Sequence, residues 1–237
     1  DYLTKPEIFM LDLLSNYKWD RPLHLLSMGG DINIGIKDYL MYEGFSYKFV
    51  PVKSRMKRDD IGFADPEDLY DKMMNVYKWD DLSRTDWFVD YQNLYTFCGV
   101  LSQRQVFVNA AKEMLKISDK KRAAELLDKC QKCVPEENFP LDITYLGFSN
   151  ELVVIEMIDT YYKCGRGETA LELSKRFADK IFQSTVFFLE YYDYAKHEFD
   201  ICYNCLQYLA DISDENGNTE FGTQIRDRFN SLLDLAE

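Results

Sequence analysis

The chain has 237 residues, 46% of them apolar and 29% charged, with 11 Gly and 6 Pro, a composition that excludes a disordered, collagen-like or low-complexity polypeptide. Its 28 Lys and Arg against 41 Asp and Glu leave a net charge of −13, which argues against duplex nucleic acid, bound by neutralising phosphates, and against an anionic membrane surface. At roughly 150 residues per domain the length suits one extended domain or two small ones.

The chain begins at Asp1 without a Met, and no basic segment followed by an apolar one lies near its start, so a trimmed or processed chain is expected. Thr4-Lys5-Pro6-Glu7 has the residues of a helix start, and Ile8, Leu11 and Leu14 share one face, which predicts a helix over residues 5–16. Arg21-Pro22-Leu23-His24-Leu25-Leu26-Ser27 reads as extended, because Pro22 disfavours helix at its predecessor and Gly29-Gly30-Asp31 supplies a turn. Phe45 to Val50 alternates with period two before Pro51, a second strand. The two are expected to pair into one short hairpin or two-stranded sheet, with Ile36 to Tyr42 a short helix between them.

From residue 65 the helical period takes over. Asp65-Pro66-Glu67-Asp68 is a capping signature followed by Leu69, Met73 and Val76 or Tyr77 at spacings of three and four. Little strand signal remains beyond it. Helices are expected after Gly99, over 184–212 in a stretch rich in Phe and Tyr, and over 220–235 after Asn216-Gly217-Asn218. The fold class read from this pattern is mainly α, a helical stack (91–237) preceded by a small α+β portion (1–90). The longest apolar stretches, such as Leu152 to Ile155 and Val186 to Leu189, fall short of the roughly 18 residues that a membrane span requires.

The helical part contains an internal repeat. Phe107, Ala110, Ala111 and Met114 stripe one helix, Ala123, Leu127 and Cys130 stripe the next, and Pro135 follows its end. This arrangement resembles the tetratricopeptide repeat, with Phe107 at the bulky opening position, Ala111 and Ala123 at the small ones, and Pro135 as the terminal Pro. A second copy aligns Val154, Met157, Ile158 and Tyr161, then Ala170, Ser174 and Phe177, with Phe182 in place of the Pro. Ala123 and Ala170 lie 47 residues apart, against a family period of about 34. The intervening polar segment from Glu136 to Phe148 accounts for the surplus, and Asn150 or Ser149 is placed to cap the helix after it. A generic antiparallel bundle gives the same fold class.

Candidate chemistry is sparse. Cys130-x-x-Cys133 and Cys202-x-x-Cys205, with His197 nearby, have the ligand types of a zinc site, but both pairs fall within helical patterns, which favours buried thiols and no metal. Gly30 to Lys37 has the glycine spacing of a phosphate loop without its Gly-Lys-Ser/Thr ending, so a turn is expected and no cofactor. His24 and His197 are the two histidines, and neither sits in a nucleophilic motif. Trp19-Asp20, Trp79-Asp80-Asp81 and Asp86-Trp87 set carboxylates beside aromatics, an adjacency that 41 acidic residues produce by chance. Lys53 to Arg58 is the one basic cluster and reads as a solvated loop.

Three phrases of the N-terminal portion carry a second resemblance: Asn16-Tyr17-Lys18-Trp19-Asp20-Arg21-Pro22, then Tyr39-Leu40 through Glu43-Gly44-Phe45-Ser46-Tyr47-Lys48-Phe49-Val50-Pro51, then Tyr70 through Val76-Tyr77-Lys78-Trp79. In this order they resemble the soluble C-terminal region of a bacterial family of multi-spanning membrane proteins of unknown function, related to protein O-mannosyltransferases. The resemblance covers about residues 10–135 and rests on Trp19, Arg21, Pro22, Glu43, Gly44, Tyr47, Pro51, Tyr70 and Trp79; it departs from the family at Leu23-His24-Leu25, where an aromatic pair is usual. It implies an extracytoplasmic tail, on the periplasmic or equivalent side of a membrane, without the catalytic acid of such enzymes. The expected function is therefore a non-catalytic accessory domain that binds or positions a protein partner, the acidic surface favouring one with Lys or Arg. A free-standing peptide-binding scaffold and a glycan-binding module are the alternatives.

Overall fold

In the computed structural model the chain divides into two units, Asp1–Tyr77 and Lys78–Glu237; the boundary read from sequence lies near residue 90. The structure describes residues 2–26, 34–53, 63–84, 86, 88, 90, 100–142, 144–145 and 148–234.

The first unit opens with α1 (Lys5–Ser15), which carries Pro6 in its first turn. The Glu7 carboxylate accepts from the Thr4 backbone N–H at 2.8 Å and from its hydroxyl at 3.0 Å. A four-stranded sheet follows, in the order β1 (His24–Leu25), β3 (Tyr47–Phe49), β2 (Leu40–Tyr42), β4 (Phe63–Ala64). β1 and β3 pair antiparallel with His24 opposite Lys48. β2 is antiparallel to β3 with Tyr42 opposite Tyr47, and parallel to β4 with Tyr42 opposite Ala64.

The sheet is thus larger than the two strands expected. Of the helix expected over 36–42, only Ile36–Tyr39 is helical, as a single 3-10 turn, and Leu40–Tyr42 becomes the inner strand β2. Leu40 and Tyr42 are buried and Met41 is half-buried, an alternation too short to be told from a helical turn by sequence. Gly44, at φ 97°, makes the β2–β3 turn, where Glu43 N–H donates to the Ser46 carbonyl at 2.9 Å. α2 (Pro66–Asp71) is capped by Asp65, whose carboxylate accepts from Glu67 and Asp68 N–H, and runs on into a π-helical turn, Lys72–Val76.

Among its described residues the second unit holds a 3-10 turn (Asp80–Ser83) and six helices: α3 (Val100–Lys116), α4 (Lys120–Cys133), α5 (Asn150–Lys163), α6 (Gly167–Glu190), α7 (Tyr192–Glu215) and α8 (Thr219–Asp234). They pack as consecutive pairs, α3 with α4, α5 with α6 and α7 with α8, and the first helix of each pair packs on that of the next. The turns inside the second and third pairs depend on glycine. Gly165 and Gly217 sit at φ 79° and 82°, and Arg166 N–H reaches back to the Tyr161 carbonyl at 3.0 Å, satisfying the helix end.

The core runs through the repeat positions. Phe107, Ala110, Ala111, Met114, Ala123, Leu127 and Cys130 are buried in the first pair, and Val154, Met157, Ile158, Tyr161, Ala170, Ser174 and Phe177 in the second. The alanines let helix axes approach closely, which longer side chains prevent. Pro135 follows Val134, the residue that ends α4.

Two features depart from the sequence reading. A hairpin, β5 (Thr144–Tyr145) with β6 (Phe148–Ser149), lies inside the segment between the first two pairs, where no strand was expected. The helix expected over 184–212 is the end of α6 and most of α7, divided at Tyr191; helical periodicity continues across this turn with no Gly or Pro to mark it. Among the described residues no helix is long and apolar enough to cross a membrane.

Candidate functional site

The packed first helices α3 and α5 share a partly exposed polar face. Gln105, Asn109 and Lys112 recur at helical spacing on α3 and meet Glu156 of α5. Gln105 Nε2 donates to Asn109 Oδ1 at 3.0 Å and to Glu156 Oε2 at 3.1 Å, and Lys112 Nζ lies 2.9 Å from the same carboxylate. Such a row of amides and charges on a fixed scaffold suits recognition of a polypeptide, whose backbone offers both donors and acceptors.

Beneath this face lies Arg104, 2% exposed. Its guanidinium donates to the carbonyls of Phe139 and of Pro140, the latter at 2.9 Å, and to Asn150 Oδ1 at 3.2 Å. Asn150 in turn donates to the carbonyls of Pro140 and Leu141 at 3.1 and 2.8 Å. Asn150 therefore ties the start of α5 to the segment before it. Burial lowers the Arg104 pKa to about 10, which leaves it charged at neutral pH. A cavity of about 40 Å³ beside it, bordered by Cys130 and Met157, has room for water and none for a substrate. Sequence reasoning missed this pair, although an Arg in the apolar stripe of Phe107 and Ala111 is a visible anomaly.

The first unit holds a second polar cluster. Glu43, 4% exposed, lies 2.8 Å from Lys72 and 3.7 Å from both Lys48 and His24. Lys72 also pairs with Asp68, and the Tyr77 hydroxyl donates to the Glu43 carbonyl. Burial works to lower the Lys72 pKa, but the Asp68 and Glu43 carboxylates outweigh it and raise it. His24 Nδ1 is 3.0 Å from Ser46 Oγ. The cluster joins β1, β3 and the π turn to the residue after β2, a structural crosslink.

The other motif residues serve turns and packing. Trp19, at φ 60°, stacks on Phe49 with centroids 5.4 Å apart and touches Tyr17 at 4.7 Å. The Tyr17 hydroxyl donates to the Arg21 carbonyl. Pro22 lies just before β1, Tyr47 packs on Tyr42 at 5.4 Å, Pro51 is exposed beyond β3, and Tyr70 is half-buried on α2. Trp79 belongs to the second unit, where it packs on Phe107 at 4.5 Å.

Cys130, Cys202 and Cys205 are buried helix residues. Desolvation pushes Cys130 and Cys202 up to about 12 and raises Cys205 as well, so these thiols stay protonated at neutral pH. Cys133 is half-buried and His197 exposed. Among the described residues no three His, Cys, Asp or Glu side chains lie together as a metal site. Gly30 to Asn33, Ser54 to Arg58 and Trp87 lie outside the described residues, while Lys53 pairs with Asp38 at 3.1 Å and Asp86 with Arg84 at 2.7 Å.

Residues 1–68 match the family model described as TMEM260-associated domain 2. The matched stretch contains Trp19, Arg21, Pro22, Glu43, Gly44, Tyr47 and Pro51; Tyr70 and Trp79 lie beyond it. It fits a TMEM260-like family, and so the membrane-protein part of the resemblance drawn from these residues. No curated protein and no solved structure matches the chain.

Proposed function

We propose that this chain is a non-catalytic accessory domain of a membrane glycosyltransferase-like protein, lying on the extracytoplasmic side, that holds a protein partner on a tetratricopeptide-like stack. The observation that carries this reading is the α3–α5 face: Gln105, Asn109, Lys112 and Glu156 are linked across two packed helices. The match of residues 1–68 to a TMEM260-associated domain supports membrane-protein parentage.

The test is made in the full-length polypeptide. Several membrane-spanning segments are expected in the same chain, and removal of residues 78–237 is expected to abolish sugar transfer to a folded protein acceptor while sparing transfer to a short peptide acceptor. A polypeptide without membrane spans, or equal loss on both acceptors, contradicts the reading.

A further inference from the structure

The end of α6 and the start of α7 carry an aromatic cluster that the packing of the second unit leaves uncovered. Val186 is 52% exposed, Phe187 56%, Tyr191 47% and Tyr194 93%. Three rings are in contact: Phe187 lies 5.0 Å from Tyr191 and 5.6 Å from Phe188 between centroids. α6 and α7 each run 24 residues against 14 for α5. At about 1.5 Å per residue their joined ends reach about 15 Å further than α5. The backbone breaks helical geometry at Ala195 (φ −123°, ψ 29°), which sets the first turn of α7 off from the rest. A contiguous exposed aromatic patch of this kind marks an interaction site more often than chance.

Charge says what covers it. Glu190 and Asp193 flank Tyr191 and Tyr192 in the chain and Glu198 and Asp200 follow on α7, with Lys196 the cation among them, and among the described residues none of these carboxylates has an ion-pair partner. An aromatic centre with an acidic rim is the complement of an aliphatic segment flanked by Lys or Arg, whose cations pair with the carboxylates and lie over Tyr faces. An anionic lipid surface is repelled by the same rim.

We infer that the α6–α7 tip docks an amphipathic helical segment of a partner protein, leucine-like on one face and lysine- or arginine-rich at its edges. The inference deepens the docking reading above, on which it rests, by naming the surface and the partner's chemistry.

The probe is a fluorescent 18-residue Leu/Lys amphipathic peptide titrated into the intact chain, beside a Leu/Glu peptide of identical pattern and neutral phosphatidylcholine vesicles. Saturable Leu/Lys binding is expected, weakened at least tenfold in Phe187→Ser/Tyr191→Ser and in Glu190→Lys/Asp193→Lys, and unchanged in Glu168→Lys, an exposed position on α6 away from the tip. Circular dichroism checks that each variant folds, and two independent tip variants guard against misfolding of either. Binding that survives both tip variants, vesicle binding in place of peptide binding, or no binding at all overturns the inference. Loss only in Glu156→Lys, on the α3–α5 face, overturns the tip assignment and leaves the docking reading standing.

Discussion

Arg104 of α3 donates to Asn150 of α5 at 3.2 Å, and both also hold carbonyls of the segment between α4 and α5. Two residues 46 apart in sequence thereby fix where the second helix pair begins. The guanidinium supplies several donors to a stretch of backbone that has no helix to satisfy it.

Replacing Arg104 with Met keeps volume but strands those carbonyls and the Asn150 amide oxygen. Buried groups left without partners carry a desolvation penalty, so Arg104→Met is expected to lower stability by about 3 kcal/mol. Arg104→Lys, with one point of donation, retains less than half of that. Urea unfolding followed by circular dichroism checks both; a loss under about 0.5 kcal/mol in Arg104→Met contradicts the role.

Stability is expected to fall above pH 9. Cys130 and Cys202 titrate near 12 in the folded protein, against about 8.5 in an unfolded chain. The folded state therefore holds protons that the unfolded state releases, and the stability present below the unfolded value is lost as pH rises towards 12, by about 1.4 kcal/mol per unit for each thiol. Arg104 works oppositely, but only above about 10. Cys130→Ala is expected to flatten the slope, measured by urea midpoints from pH 7.5 to 10.5. An identical slope in the variant refutes the assignment.

Gly222 of α8 faces α7 so closely that an added Cβ would come within 2.9 Å of the Ala210 carbonyl, besides meeting Asp214. Asp214 can swing aside; the carbonyl belongs to a helix and cannot. Gly222→Ala is expected to destabilise by about 1–3 kcal/mol, against the usual gain of helix propensity. Thermal unfolding reads the sign, and a stabilised variant contradicts the α7–α8 packing.

In the first unit, Glu43→Gln removes the buried carboxylate beside Lys72 and is expected to cost about 1–2 kcal/mol. Because the Lys72 pKa is raised, the stability of this pair is present below its ordinary value of 10.5 and lost as pH climbs beyond it. A double-mutant cycle with Lys72→Met, read by hydrogen exchange of β2 and β3 amides, is expected to show favourable coupling. Additive losses refute the contact.

The helix pairs were legible because Phe107, Ala111 and Ala123, then Val154, Ile158 and Ala170, repeat a pattern set by helix geometry within each element. β2 was not, since three residues hold too little periodicity and its pairing with β4 spans about twenty positions. The aromatic residues near Tyr191 were visible in sequence, yet core packing was the better expectation; only their exposure marks them as surface. Arg104 has partners 35 to 46 residues away, and Glu43 pairs with Lys72, 29 residues on, separations that no local pattern encodes.

The docking account is tested most directly by photo-crosslinking in the full-length protein within its own membrane, with benzoylphenylalanine at positions 109, 187 or 228. Protein adducts are expected from 109 on the α3–α5 face and from 187 at the α6–α7 tip, and none from 228, where Arg228 is engaged with Asp179 and Phe182. Adducts from 228 alone, or lipid adducts in place of protein at 109 and 187, contradict it.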